Sequence, residues 1–387
     1  MDLSFSEAEH TFAAEIRAWL AENLEAPPVF SSVDDEVAWG RAWQRRLADD
    51  RWIGIHWPTE YGGRGSSPVE VALYNMEYAR SAAPQPVNRV GINLAGPTLL
   101  AHGTDEQKQR WLPSILSADE LWCQLFSEPG AGSDLASLAT RATPVEGGWS
   151  LTGQKVWTSY AGHARWGICL ARTDTDAPRH RGISYLVVDM SAPGVEIRPL
   201  VQITGDAEFN EVFLDGVFVP EEHLVGALNG GWAVANTTLA HERGTAFPFK
   251  EQVVHEVYLE RILALADEND VWDRPEVSDE LVQAFVELRV LRLHNWRTLS
   301  RLQRGVEPGP ESSWVKLAWT DMTRDLSEAA LHVTGDAAPL WSGASLVPGD
   351  GAWQRQWLWS KAASIAGGTS EVQRTIIGER ILGLPRG

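Results

Sequence analysis

The sequence predicts a multidomain α+β protein with a helical N-terminal domain, a middle antiparallel β-barrel and a C-terminal four-helix bundle. Apolar residues recur at helical spacing in the first and last thirds of the 387 residues. The middle third instead holds short runs of strand formers without intervening helices, which favours an antiparallel barrel or sandwich over a doubly wound sheet. We therefore predict domains over residues 1–119, 120–228 and 229–387.

Capping signals mark helices in the first third. Ser6 and Glu9 form an S-x-x-E capping box ahead of an apolar helical pattern. Thr104 is a candidate cap for a later helix, with Gln107 at its third position. Between these helices, the glycine-rich residues 58–65 predict a loop.

The middle third contains short strand-forming runs, whereas the last third contains long helical ones. Predicted strands cover residues 121–127, 149–157, 166–172, 183–189, 195–200 and 211–219. The Gly147-Gly148 pair between two strand-forming runs is a hairpin signal. Predicted helices cover residues 230–241, 251–267, 278–302, 312–333, 353–366 and 370–382. Long helices joined by short links predict a bundle.

Composition excludes several classes of function. Lys and Arg number 33 against 52 Asp and Glu, and the resulting net charge of −19 is opposite to that of a general nucleic-acid binder. No apolar run approaches the roughly 18 residues of a membrane span. The acidic start lacks the layout of a signal peptide, and Cys123 and Cys169 give neither a disulfide framework nor a metal cluster. We therefore expect a cytoplasmic protein without a metal site.

One segment stands out as a candidate ligand loop, LFSEPGAGSD at residues 125–134. A predicted strand carries Ser127 to its end, and the following glycines permit close approach of the backbone to a ligand. An ordinary polar turn would explain the same residues. Motifs for P-loop, Rossmann and metal-dependent hydrolytic chemistry do not occur in the sequence.

The segment SEPGAGSD resembles the T-E-P-x-A-G-S-D signature of the acyl-CoA dehydrogenase family, with Ser127 in place of Thr. Other motifs of that family follow the same order along the chain. They are GPTLLAHGTDEQKQRWLP at 96–113, GQKVWTSYA at 153–161, NEVFLDGVFVP at 210–220 and GGTSEVQRTIIGERILGLP at 367–385. The resemblance covers essentially the whole chain. It is specific because five motifs occur in the family's order, whereas any one of them alone would be weak.

The resemblance implies the same three-domain order that the periodicity predicts. It also implies an oxidoreductase that binds FAD, takes an acyl-CoA thioester and introduces a 2,3-double bond, as in the β-oxidation of lipids. Such chemistry needs a base for the α-proton, a flavin N5 for the β-hydride and donors to the thioester oxygen. An electron-transfer flavoprotein is the expected electron acceptor.

The expected catalytic base departs from the common family pattern. Where many members carry a Glu before G-T-S, this chain has Gly367, which cannot accept a proton. Other members, which take branched, long-chain or steroid side-chain substrates, carry the Glu before an Arg at the start of the bundle, and Glu242-Arg243 stands there. The resemblance therefore makes Glu242 the candidate base and favours a branched or bulky acyl chain. A solvated helical Glu-Arg pair is the alternative reading.

The remaining site residues are carried over from the family motifs. Phe126, Ser127, Trp157 and Ser159 match positions that contact the flavin, and Thr369 and Glu371 match flavin contacts made across a subunit interface. Ser133, Arg243 and Gly367 match the substrate side of the site. Trp157 has a second reading as a core tryptophan, since the chain contains 19 Trp.

Two motifs that, in the family, contact the FAD of a neighbouring subunit are not intact in this sequence. The sequence after Gly244 has no R-x-x-F-G, and LHVTGDAA at 331–338 replaces Q-x-x-G-G-x-G. This pattern resembles heteromeric members and predicts an α2β2 assembly with a related chain, or else a homo-oligomer that uses other residues. An acyl-CoA oxidase and a non-catalytic partner subunit remain alternative functions.

Overall fold

The helices and strands follow the predicted order. The computed structural model describes residues 5–28, 30, 32–242, 246–306, 309–341, 343 and 347–385, without the side chains of residues 242 and 246–248. The first helices are α1 (Glu7–Asn23), α2 (Val33–Asp49), α3 (Pro68–Arg80), α4 (Gly96–His102) and α5 (Asp105–Ser117). The later helices are α6 (Gly231–Glu242), α7 (Ala246–Glu268), α8 (Pro275–Leu302), α9 (Ser312–Thr334), α10 (Ala352–Ala363) and α11 (Ser370–Ile376).

Both predicted helix starts are confirmed. Ser6 accepts a hydrogen bond from the backbone of Glu9, whose side chain reaches back to the Ser6 backbone. Thr104 and Gln107 make the same reciprocal pair at the start of α5. Each pair satisfies backbone N–H groups that the first helical turn leaves without a partner.

The middle third forms one sheet of eight strands. They are β1 (Trp122–Leu125), β2 (Arg141–Val145), β3 (Gly148–Ser159), β4 (Trp166–Arg172), β5 (Ile183–Asp189), β6 (Val195–Leu200), β7 (Phe209–Pro220) and β8 (Leu224–Val225). Their order is β6-β7-β3-β2-β4-β5-β8, with β1 also paired to β4. Strands β2 and β8 were absent from the sequence prediction, since β2 is mostly exposed and β8 has only 2 residues.

The predicted closed antiparallel barrel requires correction. Over residues 120–242, all of which are described, the edge strands β6 and β8 do not pair, so the sheet stays open. Strand β8 is too short to offer a closing edge. In addition, β1 runs parallel to β4, a pairing that needs the long crossover that residues 126–165 supply.

The described chain divides into two compact units that do not follow the three predicted segments. One unit combines residues 1–24 and 67–83 with 243–387, and the other combines 25–66 with 84–242. In the first unit, α3 packs against α7 and α1 against α3. The predicted boundaries at 119/120 and 228/229 therefore stay predictions.

Each unit has its own apolar core. In the first unit, α7, α8 and α9 share one buried cluster with Trp353 of α10, which accounts for the four helices of the predicted bundle. In the second unit, inward side chains of the sheet form another cluster, centred on residues such as Leu151, Leu186 and Val217. No helix within the described ranges is both long enough and apolar enough to cross a membrane.

Candidate active site

The signature segment continues directly from β1, and its start is buried. Phe126 is buried, and its ring meets the ring of Tyr185 edge-on at 5.9 Å between centroids. The backbone carbonyl of Ser127 accepts a hydrogen bond from Val156 N at 2.9 Å. This bond joins the predicted flavin residues of the signature segment to the predicted flavin strand, β3.

Trp157 occupies a strained and exposed position on that strand. Pairing with β7 shifts register between Lys155 and Thr158, which marks a β-bulge. Within the bulge, Trp157 has a φ of 61°, in the left-handed region that costs a non-glycine residue about 1–2 kcal/mol. Its side chain is 61% exposed, and its ring meets Phe209 edge-on at 6.0 Å. The alternative reading as a buried core tryptophan is therefore wrong.

Two serines on the same joined segments carry hydroxyl groups that suit an isoalloxazine ring. Ser159, at the end of β3, is half-buried and stands opposite Phe209 in the sheet. Ser127 is also half-buried. In the described part of the chain, neither serine hydroxyl takes part in a hydrogen bond. An exposed flat indole and two hydroxyls on the joined segments suit a ring that needs stacking on one face and hydrogen bonds at its edge.

Ser133 lies on an exposed turn beyond the signature strand. Backbone hydrogen bonds between Glu128 and Ala131, at 3.0 Å in both directions, close the turn that precedes it. Added side chains at Gly130 and Gly132 would meet open space, so this turn is accessible to a large ligand. Arg179 forms an ion pair with Asp134 beside it.

A buried ion pair of Glu128 with Lys155 supports this region and was missed as a functional feature. Lys155 is fully buried, and its Nζ donates to Glu128 Oε1 at 2.8 Å, to Phe126 O at 3.1 Å and to Leu170 O at 2.8 Å. Burial opposes ionisation of Glu128, but the charge and hydrogen bond of Lys155, together with hydrogen bonds from Thr140 and Ala139, outweigh it and keep the pKa of Glu128 below its ordinary value. Both residues stand in the quoted motifs, yet sequence does not reveal that their charges are buried.

Helix α6 carries Glu242 as its last residue. Its start lies against β5, because a Cβ on Gly231 would come within 2.5 Å of the Ser184 backbone. Farther along α6, Thr238 Oγ1 lies 2.8 Å from Thr98 Oγ1 and 3.2 Å from Tyr185 Oη. The side chain of Glu242 and the whole of Arg243 lie outside the described residues. The structure thus fixes the helix that ends at Glu242 but leaves its catalytic role a prediction.

The C-terminal site residues belong to the other unit. Gly367 has a φ of 65°, a conformation that disfavours any side chain at this position. Thr369 caps α11 by accepting a hydrogen bond from Val372 N at 3.2 Å. Glu371 follows in the first turn, where hydrogen bonds from its own backbone N–H and from Thr369 lower its pKa. Since the candidate residues divide between the two units, the structure brings together only those of each unit.

Comparison with known proteins identifies the same family over nearly the whole chain. Family models match for the acyl-CoA dehydrogenase N-terminal domain at residues 6–119, the middle domain at 123–217 and the C-terminal domain at 229–382. The chain is 42% identical over 385 residues to the acyl-CoA dehydrogenase IpdE1 of Mycobacterium tuberculosis, covering 97% of each chain.

Solved structures give the same result. The Tcur3481-Tcur3483 steroid ACAD has a TM-score of 0.87 and 31% identity, covering 100% of both chains. The ChsE4-ChsE5 complex from Mycobacterium tuberculosis has a TM-score of 0.83 and 29% identity, also over 100% of both chains.

Proposed function

The chain belongs to the acyl-CoA dehydrogenase family, and we propose that it oxidises a bulky acyl-CoA with Glu242 as its catalytic base. It is an FAD-dependent oxidoreductase that forms a double bond between the α- and β-carbons of an acyl-CoA thioester. The match to all three domain models carries this conclusion. It favours the dehydrogenase over both the oxidase and a non-catalytic partner subunit.

The proposed mechanism assigns the chain's residues to three tasks. When bound, FAD would supply the acceptor for the β-hydride. Trp157 would hold the flavin ring by stacking, and the Ser127 and Ser159 hydroxyls would hold it by hydrogen bonds. Glu242 takes the α-proton, and the bound acyl chain excludes water from the reacting atoms. Ser133 and Arg243 hold the CoA arm.

The acyl group is proposed to be large, such as the side chain of a steroid. Two features of the sequence support this choice. Glu242-Arg243 stands where family members that take branched or bulky chains carry their base, and position 367, the common alternative, is a glycine. The similar Tcur3481-Tcur3483 protein is named a steroid ACAD, which points the same way.

A panel of thioesters tests the substrate class. We expect kcat/KM for a steroid side-chain CoA to exceed that for octanoyl-CoA by about tenfold or more, with isobutyryl-CoA as a small branched control. The measurement is reduction of an artificial electron acceptor under air-free conditions. Equal or better turnover of octanoyl-CoA would contradict the bulky-substrate proposal.

The proposed assembly is a hetero-oligomer with a related chain. The incomplete motifs after Gly244 and at 331–338 support it, as do the two-component names of similar complexes. In this proposal Thr369 and Glu371 still reach a neighbouring subunit's flavin. An electron-transfer flavoprotein is the proposed electron acceptor, and the cytoplasm, which the sequence predicts, is the proposed location.

Flavin stoichiometry distinguishes the two assemblies. The heteromer is expected to hold about one FAD per two chains, and this chain purified alone is expected to bind FAD poorly. Flavin absorbance per polypeptide, combined with mass in solution, measures both. One tightly bound FAD per chain in a homodimer or homotetramer would rule out the heteromer.

A further inference from the structure

Glu128 and Lys155 join the signature turn to the flavin strand, and we propose that this buried ion pair is the positioning device that sets Ser127 and Trp157 for the flavin. This inference rests on the proposed function, which assigns the flavin to those two residues. It adds that two charged residues without contact to the reacting atoms determine the geometry of the flavin site.

The first step is the saturation of the Lys155 ammonium group. Its three donors meet three acceptors, Glu128 Oε1, Phe126 O and Leu170 O, at 2.8–3.1 Å. One of these acceptors, Phe126 O, belongs to the residue before Ser127. The ammonium therefore fixes the signature backbone at the point where it enters the predicted flavin site.

Glu128 makes the second anchor. Its Oε2 accepts from Ala139 N at 2.6 Å, and its Oε1 accepts from Thr140 N at 3.0 Å. These bonds tie the signature turn to the start of β2, because residues 139 and 140 lie directly before that strand. Glu128 is 8% exposed, so water has little access to its carboxylate.

The anchoring of Lys155 also fixes the residues that follow it along β3. Val156 N donates to Ser127 O, and Trp157 comes next in the bulge with its positive φ. Strained backbone of this kind persists only where the surrounding structure enforces it. Trp157 is flanked along the strand by two anchored residues. Lys155 is held by the bonds of its ammonium group, and Thr158 O accepts a hydrogen bond from Asn210 Nδ2 at 3.0 Å.

Stability alone does not account for a buried ion pair. Desolvation of two charges offsets much of their attraction, and a well-packed apolar pair of similar volume is often equally stable. Such an apolar pair would lack the directional bonds to Phe126, Ala139 and Thr140. The expected signature of a positioning role is therefore a loss of flavin binding greater than an equal loss of stability elsewhere in this unit causes.

The test is a double variant, Glu128→Leu with Lys155→Met, prepared in the full chain together with any partner chain that it requires. We expect a lower thermal unfolding midpoint, because backbone groups of Phe126, Ala139 and Thr140 lose buried hydrogen-bond partners, and an FAD dissociation constant raised about tenfold or more. In the flavin-free protein, we expect faster hydrogen exchange at residues 126–131 and 155–160. Unchanged FAD affinity and exchange would overturn the proposal.

Two further variants cover the case in which the double variant does not fold. Glu128→Gln keeps the shape of the side chain and removes its charge. Gln44→Leu is the matched control, since Gln44 is fully buried in the same unit and bonds to Ile115 O and Leu116 O, far in sequence from both motifs. If Glu128→Gln weakens FAD binding no more than Gln44→Leu at equal loss of stability, the proposal fails.

The exchange measurement separates this inference from the proposed function. A parent protein that binds no FAD, alone or with its partner, would contradict the proposed function. Exchange in the flavin-free chain would still report whether the ion pair holds the two segments in place.

Discussion

Glu242→Gln is expected to lower the rate of flavin reduction by acyl-CoA by about 10²–10⁴-fold or more. The substitution keeps the size of the side chain and removes the basicity that proton abstraction needs. FAD content and unfolding temperature should stay close to those of the parent, because Glu242 is the last residue of α6. Air-free stopped-flow absorbance of the flavin measures the rate directly.

A matched control separates loss of the base from a general effect of removing charge. Glu260→Gln alters an exposed carboxylate on α7 and should leave flavin reduction unchanged. Near-parental reduction by Glu242→Gln would show that another carboxylate is the base. The family's alternative position cannot easily supply one here, since Gly367 has a φ of 65° and a side chain there would be strained.

Gly231→Ala, at the start of α6, is expected to destabilise the fold. The new Cβ would lie 2.5–2.7 Å from backbone atoms of Ser184 and Tyr185, which cannot move aside as a flexible side chain would. Overpacking of this kind costs about 1–3 kcal/mol of the free energy of unfolding. Because α6 ends at Glu242, the displaced helix should also slow flavin reduction.

Its neighbour provides the control for this prediction. A Cβ on Gly230 would come no closer than 3.1 Å to Ala227 O, so Gly230→Ala should be tolerated far better. Chemical unfolding followed by circular dichroism compares the two variants. Equal stability of both would mean that the close approach of α6 to β5 does not limit the fold.

Local signals explain which parts of the fold the sequence predicts. The caps at Ser6 and Thr104 depend on hydrogen bonds within a single helical turn, so residue spacing alone reveals them. The open edge of the sheet and the parallel pairing of β1 with β4 depend on residues far apart in sequence. No local pattern encodes such pairings, and the closed barrel was accordingly a wrong prediction.

The same distinction applies to the site. Motif spacing identifies Ser127, Trp157 and Ser159 as candidates, and the structure brings the segments that carry them together through the Val156–Ser127 bond. The left-handed backbone of Trp157 was not predictable, because sequence signals for positive φ come chiefly from glycine and asparagine. The burial of Lys155 is likewise a property of the assembled sheet, since a lysine in a strand is ordinarily taken to be exposed.

The most direct test of the account is an air-free titration of the FAD-loaded protein with acyl-CoA, followed by visible absorbance and by mass spectrometry of the thioester. The account predicts bleaching of the flavin band, with one enoyl-CoA lighter by two hydrogens formed for each flavin reduced. A flavin that stays oxidised with every acyl-CoA tested, or a protein that remains colourless with every candidate partner chain, would contradict it.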